Sequence, residues 1–507
     1  MLASQKHSFY WIALFVLAVF IFSSNRAWVY HRVATDGSYV VHAYPKKLPF
    51  MWQYDADAME FFQATAHFPD FYKVSPALVG RPLLPMLSHG IGTVVFSVIE
   101  PLLPRRIEQF LFEGSGAGDQ AAQTINKRDF KNLSKRDFLR PFLVALIGLI
   151  IVKISFFVVA GWLMFRLVSH HTDEQTGFLS VALLVFSPYA INSIGTYHTY
   201  EFQILTPIVV LFLFQRLVIN YSHRKNFAFS VVVGLLMMGK ANYAVYLAVL
   251  AYSGLFLLPR LVVYKGILLS IAAHLIPWVA WTIFIEQNGM AVIGILSTPS
   301  PSVLAIHPAD IIGRKLMGLS LPSDVSALGA HSQPGVDFIS SITQHQPSSL
   351  LKIIFSHLKD SCLALTTPLT GLALFALVFF RKSLSADVLR LSVLLVFFVW
   401  LQAFFSFTLG PKTRTLFDLN LVICGFAALS VVRLSAYLPT SRRKTAILVF
   451  VGIYMLAGFL TFLKLPWVHP MDQVSYQKNA DDAGRFRQTN TEMSTNQYQG
   501  AEKVSTS

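Results

Sequence analysis

Apolar residues in this chain come in long unbroken runs, and polar residues gather in short clusters between them. The runs are built of Leu, Val, Ile and Phe without two-residue alternation, which excludes an outer-membrane barrel and predicts helices that cross lipid. A crossing needs roughly 20 apolar residues to cover about 30 Å of hydrocarbon. Held to that length, the pattern predicts a first span from Phe9 to Phe22 and further spans near 141–165, 177–195, 201–219, 227–240, 243–258, 266–285, 361–380, 391–409, 415–432 and 445–463. That is about eleven spans. The expected fold class is therefore all-α, a polytopic transmembrane helical bundle over 1–465, with a polar tail over 466–507. The first run follows Lys6 and His7 as a signal peptide would, but SSNRAW is a poor cleavage site, so it reads as an uncleaved span.

Two polar stretches interrupt this pattern. The first, over 25–140, reads as a long outer loop that contains one apolar segment, Leu83 to Leu103. Pro82, Pro85 and the pair Ser88-His89 predict an interfacial or partly dipping helix there; a true crossing would move the basic stretch Arg105 to Arg140 inside. The second, over 286–350, is too long and too polar to cross and reads as another large outer loop.

Composition narrows the class. With 54% of 507 residues hydrophobic and 13% charged, a water-facing globule would hold more apolar surface than it could hide. The net charge of +15 sits in short clusters between runs, where span orientation accounts for it, so no nucleic-acid partner is expected and membrane lipid is. Loops rich in Lys and Arg stay in the cytoplasm. Starting inside, the inner connections carry Arg166; Arg216, Arg224 and Lys225; Arg260 and Lys265; Arg381, Lys382 and Arg390; and Arg433, Arg442, Arg443 and Lys444. The short outer connections carry only Lys240, Lys412 and Arg414. This pattern survives only if 227–258 is a helical hairpin turning at Gly239-Lys240-Ala241-Asn242.

Several chemistries are missing from the sequence. It has no glycine-rich phosphate loop, no HExxH helix and no GxSxG elbow, and its two cysteines, Cys362 and Cys424, offer neither a disulfide framework nor a metal site. Every inner connection is too short for a nucleotide-binding domain, so activated substrate must arrive through the membrane.

Candidate chemistry concentrates on the outer side. The stretch MWQYDADAMEF sets Asp55, Asp57 and Glu60 among apolar residues just after the first span; a plain reading makes Asp55 or Asp57 a helix cap. The longer run QYDADAMEFFQATAHFPDFYKVSPALVGRPLLPMLSHGIG resembles the first outer loop of GT-C superfamily integral-membrane glycosyltransferases. The Asp55-Ala56-Asp57 spacing matches their modified DxD motif, and Arg81 with the Leu-Leu-Pro after it matches their downstream pattern. The likeness covers roughly residues 50–95. An insert of about 35 polar residues after Pro104 departs from the family and leaves the acceptor open.

The resemblance implies transfer of a sugar from a polyprenyl-phosphate-linked donor to a glycan, lipid or protein acceptor on the extracytoplasmic face. It implies that Asp55 or Asp57 serves as general base, with its neighbour orienting the acceptor or a divalent cation. The leaving lipid phosphate needs fixed cations. Arg81, Lys240 in LLMMGKANY and Arg414 in GPKTRTLFDLN are the candidates, each with a plain alternative as a turn or interfacial residue. IGTYHTYEF adds His198 and Glu201, which could bind sugar hydroxyls; Glu201 could equally cap its helix. Lys153, deep in the 141–165 run, requires a buried partner: Glu201, Asp418 or a lipid phosphate. His274 and Pro277 read as a kinked helix. Two other classes use the same layout, a secondary transporter or lipid flippase and a polysaccharide polymerase or ligase. The charge pattern fits a bacterial inner membrane, and an endoplasmic-reticulum enzyme would look much the same.

Overall fold

The computed structural model describes residues 8–21, 61, 64–66, 68–69, 81–102, 135–194, 201–240, 243–257, 264–287, 347–365, 367–405 and 416–463. All of the regular structure among them is helical. In chain order the helices are α1 (Ser8–Ile21), α2 (Leu83–Ile99), α3 (Lys135–His171), α4 (Glu174–Val185), α5 (Pro188–Ile194), α6 (Glu201–Ile219) and α7 (His223–Met237). They continue with α8 (Ala244–Phe256), α9 (Tyr264–Gln287), α10 (Pro347–Leu365), α11 (Pro368–Phe379), α12 (Ala386–Phe405), α13 (Asn420–Ser435) and α14 (Thr440–Leu463).

Six segments are long and apolar enough to cross a membrane: Leu83–Leu102, Leu143–His171, Glu201–Ile219, Gly266–Phe284, Ala386–Phe404 and Thr440–Leu460. Their outer faces fit lipid. Leu268, Ile271, Leu275 and Val279 form an exposed stripe along α9 at helical spacing, and Val449, Ile453, Leu456 and Leu460 do the same on α14. The chain is thus an integral membrane protein by length and composition of its helices. Two of the shorter apolar helices are short because sequence breaks divide runs that hydropathy alone joins. Pro188 ends the expected 177–195 span as one helix: Ser187 caps α5 by accepting from Ala190 N at 3.2 Å, and α4 stops before it. The 361–380 run divides in the same way at Pro368, where the Thr367 hydroxyl accepts from Thr370 N.

Contacts along α3 sort the helices into two tiers. This helix has 37 residues and is about 55 Å long, well beyond the expected 141–165 span. Its first half pairs antiparallel with α2. A Cβ on Gly148 would lie 1.8 Å from Ser88 O, one on Gly92 would lie 2.0 Å from Val144 O, and the Arg140 guanidinium sits 5.9 Å from the Phe96 ring. Only glycine allows backbones to come this close, the small-residue device of membrane helices.

The second half of α3 carries the main bundle. Phe9 of α1 stacks edge-on to Trp162 at 5.6 Å, Phe202 of α6 meets Phe156 at 5.2 Å, and Gln215 reaches His171 at 3.4 Å. So α6 runs beside 156–171 while α2 runs beside 140–148. One slab of about 30 Å that encloses α6 along the axis of α3 leaves most of α2 beyond it. The 83–103 segment is therefore a helix of spanning length displaced along α3 relative to α6.

The remaining contacts fix the directions of the bundle helices. Phe202 packs on Gly239 and Phe214 lies 6.0 Å from Tyr252, so α6 and α8 run the same way, and α7 returns between them. One helix ends at Met237 and the next begins at Ala244, on either side of the break expected at 239–242, with Gly239 donating to Leu236 O at 3.0 Å to close α7. Gln402 Oε1 accepts from Ala244 N at 2.8 Å, and Arg390 lies 4.9 Å over the Phe256 ring, which makes α12 antiparallel to α8. Leu419, just before α13, packs with Ala244, Val399 and Ala403. One end of the bundle therefore gathers Lys153, Glu201, Lys240, Gln402 and Asp418, while Arg216, Arg224, Lys225, Arg381, Lys382 and Arg390 lie at the other.

Candidate functional site

At the first of these ends an ion pair is sealed inside the protein. Lys153 Nζ lies 3.4 Å from Glu201 Oε2, with the two side chains 0% and 1% exposed, and donates to Ser193 O at 3.0 Å. Each position has a local cause. Lys153 interrupts the apolar face of α3 where the short α5 ends, and the last turn of α5 turns the Ser193 carbonyl toward it. Glu201 is the first residue of α6, where the positive end of the helix dipole favours a carboxylate. Of the partners that the sequence allows for Lys153, Glu201 lies within ion-pair distance among the described residues. At 3.4 Å the contact sits at the edge of hydrogen-bond length, so most of its strength is Coulombic.

Other polar groups cluster nearby. Lys240, in the turn after α7, is half-buried and acts electrostatically on Glu201. Arg81 stands two residues ahead of α2, whose Leu83 N donates to Met238 O at 3.4 Å; this brings the Arg81 segment to the same turn as Lys240. The Tyr189 hydroxyl donates to Gln203 Oε1, tying α5 to the first turn of α6. Asp418 is buried in the turn that leads into α13. Gln402 holds the first amide of α8, a donor the helix itself leaves unmet.

Of the sequence candidates, Arg81, Lys240 and Glu201 are thus brought to one end of the bundle. Asp55, Asp57, Glu60, His198 and Arg414 lie outside the described residues. Phe61, which closes the acidic stretch, is fully buried, and Thr65, one helical turn later, offers its carbonyl to His89 Nδ1 of α2 at 2.8 Å. Phe68 lies 6.4 Å from Trp281 and 6.3 Å from Phe284, on the last turns of α9. The described end of the first loop is therefore packed in the outer tier, above the Lys153–Glu201 pair.

Sequence reasoning set Lys153 apart from the site, yet it forms the buried centre of this end. The signal was an ammonium in an apolar run, which demands a partner; the partner's identity depends on how α6 is rotated. Tyr189, Gln203 and Gln402 went unnoticed because isolated polar residues at run ends look like ordinary boundaries.

The arrangement brings two cations, Lys240 and Arg81, to the end of the bundle that holds the Lys153–Glu201 pair. Among the described residues no three His, Cys, Asp or Glu side chains gather as metal ligands. Compared with known protein families and with curated proteins, the chain matches none.

Proposed function

We propose that this protein is a membrane glycosyltransferase that moves a sugar from a polyprenyl-phosphate-linked donor to an acceptor hydroxyl on the extracytoplasmic face. The observation that carries the reading is the gathering of Arg81, Lys240 and the Lys153–Glu201 pair at the bundle end opposite the Lys/Arg-rich connections. By the positive-inside rule that end faces away from the cytoplasm.

In the proposed step, Asp55 or Asp57 accepts the acceptor's hydroxyl proton as the new O–C bond forms at the anomeric carbon. The bond from that carbon to the phosphate oxygen breaks, and the electron pair leaves with the lipid phosphate. Arg81, Lys240 and Arg414 stabilise the charge on that leaving group. Glu201, paired with Lys153, holds the ammonium in place and is not the base. A divalent cation, if used, would fall to Asp55 and Asp57.

The test is transfer by the purified chain from polyprenyl-phosphate sugars, scored by release of polyprenyl phosphate. Asp55→Asn and Asp57→Asn are expected to lower turnover, the base by about 100-fold or more, with expression and insertion unchanged. Full activity in both would remove the base assignment.

The buried pair also favours a second reading, a transporter or flippase, since ionisable residues within the membrane often mark transport paths. Transporter sites lie near the bilayer midplane, whereas Glu201 opens α6 and Lys153 meets it about 27 Å along α3 from His171, at the level where α6 begins. Movement of the lipid-linked sugar across vesicles without cleavage would favour that reading.

A further inference from the structure

The basic end of the bundle holds a feature that the transfer reading does not use. A cavity of ≈ 300 Å³ opens between α3, α6, α8, α12 and α13. Its lining is mostly apolar, with Leu211, Phe214, Leu395, Leu421 and Phe426 among the walls; His170, His171, Thr172, Gln215, Tyr252, Asp387 and Ser392 are its polar members. Pockets of this kind, apolar with a few convergent polar groups, suit small amphiphilic ligands.

We infer that this cavity binds an anionic glycerophospholipid of the cytoplasmic leaflet, its acyl chain in the slot and its phosphate at the two histidines. Hydrogen-bonding groups at the mouth, set in the basic end of the bundle, select the head group. The His170 and His171 rings meet edge to face at 5.1 Å, with Gln215 beside them at 3.4 Å, so three polar side chains converge on one point. The single acid at the mouth, Asp387, lies 3.7 Å from Arg390 and also engages the Tyr252 hydroxyl. Arg216, Arg381 and Lys382 stand at the same end of the bundle as these residues, which makes that end positive. A free phosphate ion would satisfy the mouth and leave the apolar depth unfilled. An uncharged chain would do the reverse.

Gly425 provides the test. It lines the slot, and a Cβ there would have only Val168 Cγ2 within 4 Å, at 3.8 Å, so a larger side chain enters the cavity without striking a helix. The experiment is thermal unfolding of the full chain in detergent with phosphatidylglycerol, phosphatidylcholine or inorganic phosphate added. Phosphatidylglycerol is expected to raise Tm by several degrees, with little change from the other two. Gly425→Leu is expected to abolish that rise with the lipid-free Tm unchanged, and Gly425→Ala to keep it. His170→Ala combined with His171→Ala is expected to erase the preference for phosphatidylglycerol over phosphatidylcholine. Equal stabilisation by both lipids, an equal effect of phosphate alone, or a full shift in Gly425→Leu would each overturn the assignment. Should Gly425→Leu fail to fold, the phosphatidylglycerol retained after delipidation of Gly425→Val decides: wild-type retention overturns the proposal and loss supports it.

Discussion

Lys153 and Glu201 show what a charge must do to survive inside lipid. Taking either ion from water costs several kcal/mol, and their mutual attraction compensates only while both are present. Removing one partner is therefore worse than removing both. Lys153→Met or Glu201→Gln alone is expected to destabilise the protein by about 3–5 kcal/mol, and the double variant to recover most of that loss. A double-mutant cycle in detergent unfolding checks this; additive losses would show that the two side chains act independently. The sequence made half of this visible. An ammonium in the run ALIGLIIVKISFF announces that it needs a partner. Which of Glu201 and Asp418 supplies it depends on rotation about a helix axis, and an evenly apolar run such as α6 carries almost no periodic signal to report rotation.

At the level of the element, hydropathy located the apolar segments and missed how some of them divide. Pro188 and Pro368 each follow a hydroxyl-bearing residue that can cap a new helix, yet a single proline scarcely changes the mean hydropathy of a 20-residue window. The hairpin between α7 and α8 was legible because a second property, the distribution of Lys and Arg, would have been inverted without it. The α2–α3 contact depends on glycine at two positions. Gly148→Leu is expected to push α2 off α3 and cost about 1–3 kcal/mol, since Ser88 O cannot move without moving the helix. Gly90→Leu on the same helix meets nothing within 4 Å and is expected to be tolerated. Comparing the Tm of the two variants separates close packing at the α2–α3 contact from a general dislike of bulk on these helices.

For the whole molecule, the arrangement of ends is the testable statement. Cysteine placed at Lys240 is expected to label from one side of the membrane and cysteine at Arg224 from the other, using a membrane-impermeant maleimide on oriented vesicles. Labelling of both from one side would remove the hairpin and with it the common location of the candidate cations. Charge in the sequence predicts sidedness, but it gives no sign of the displacement of α2 against α6. Sliding one apolar helix past another along their shared axis leaves composition, periodicity and loop charge untouched, so only the contacts on α3 reveal it. Those contacts have a mechanical corollary. A single rod about 55 Å long serves as mast for one layer and keel for the other, and Lys153 is stepped at the deck between them. Any load that tilts the upper layer must tilt that rod, and so reaches the ammonium at the deck without touching it.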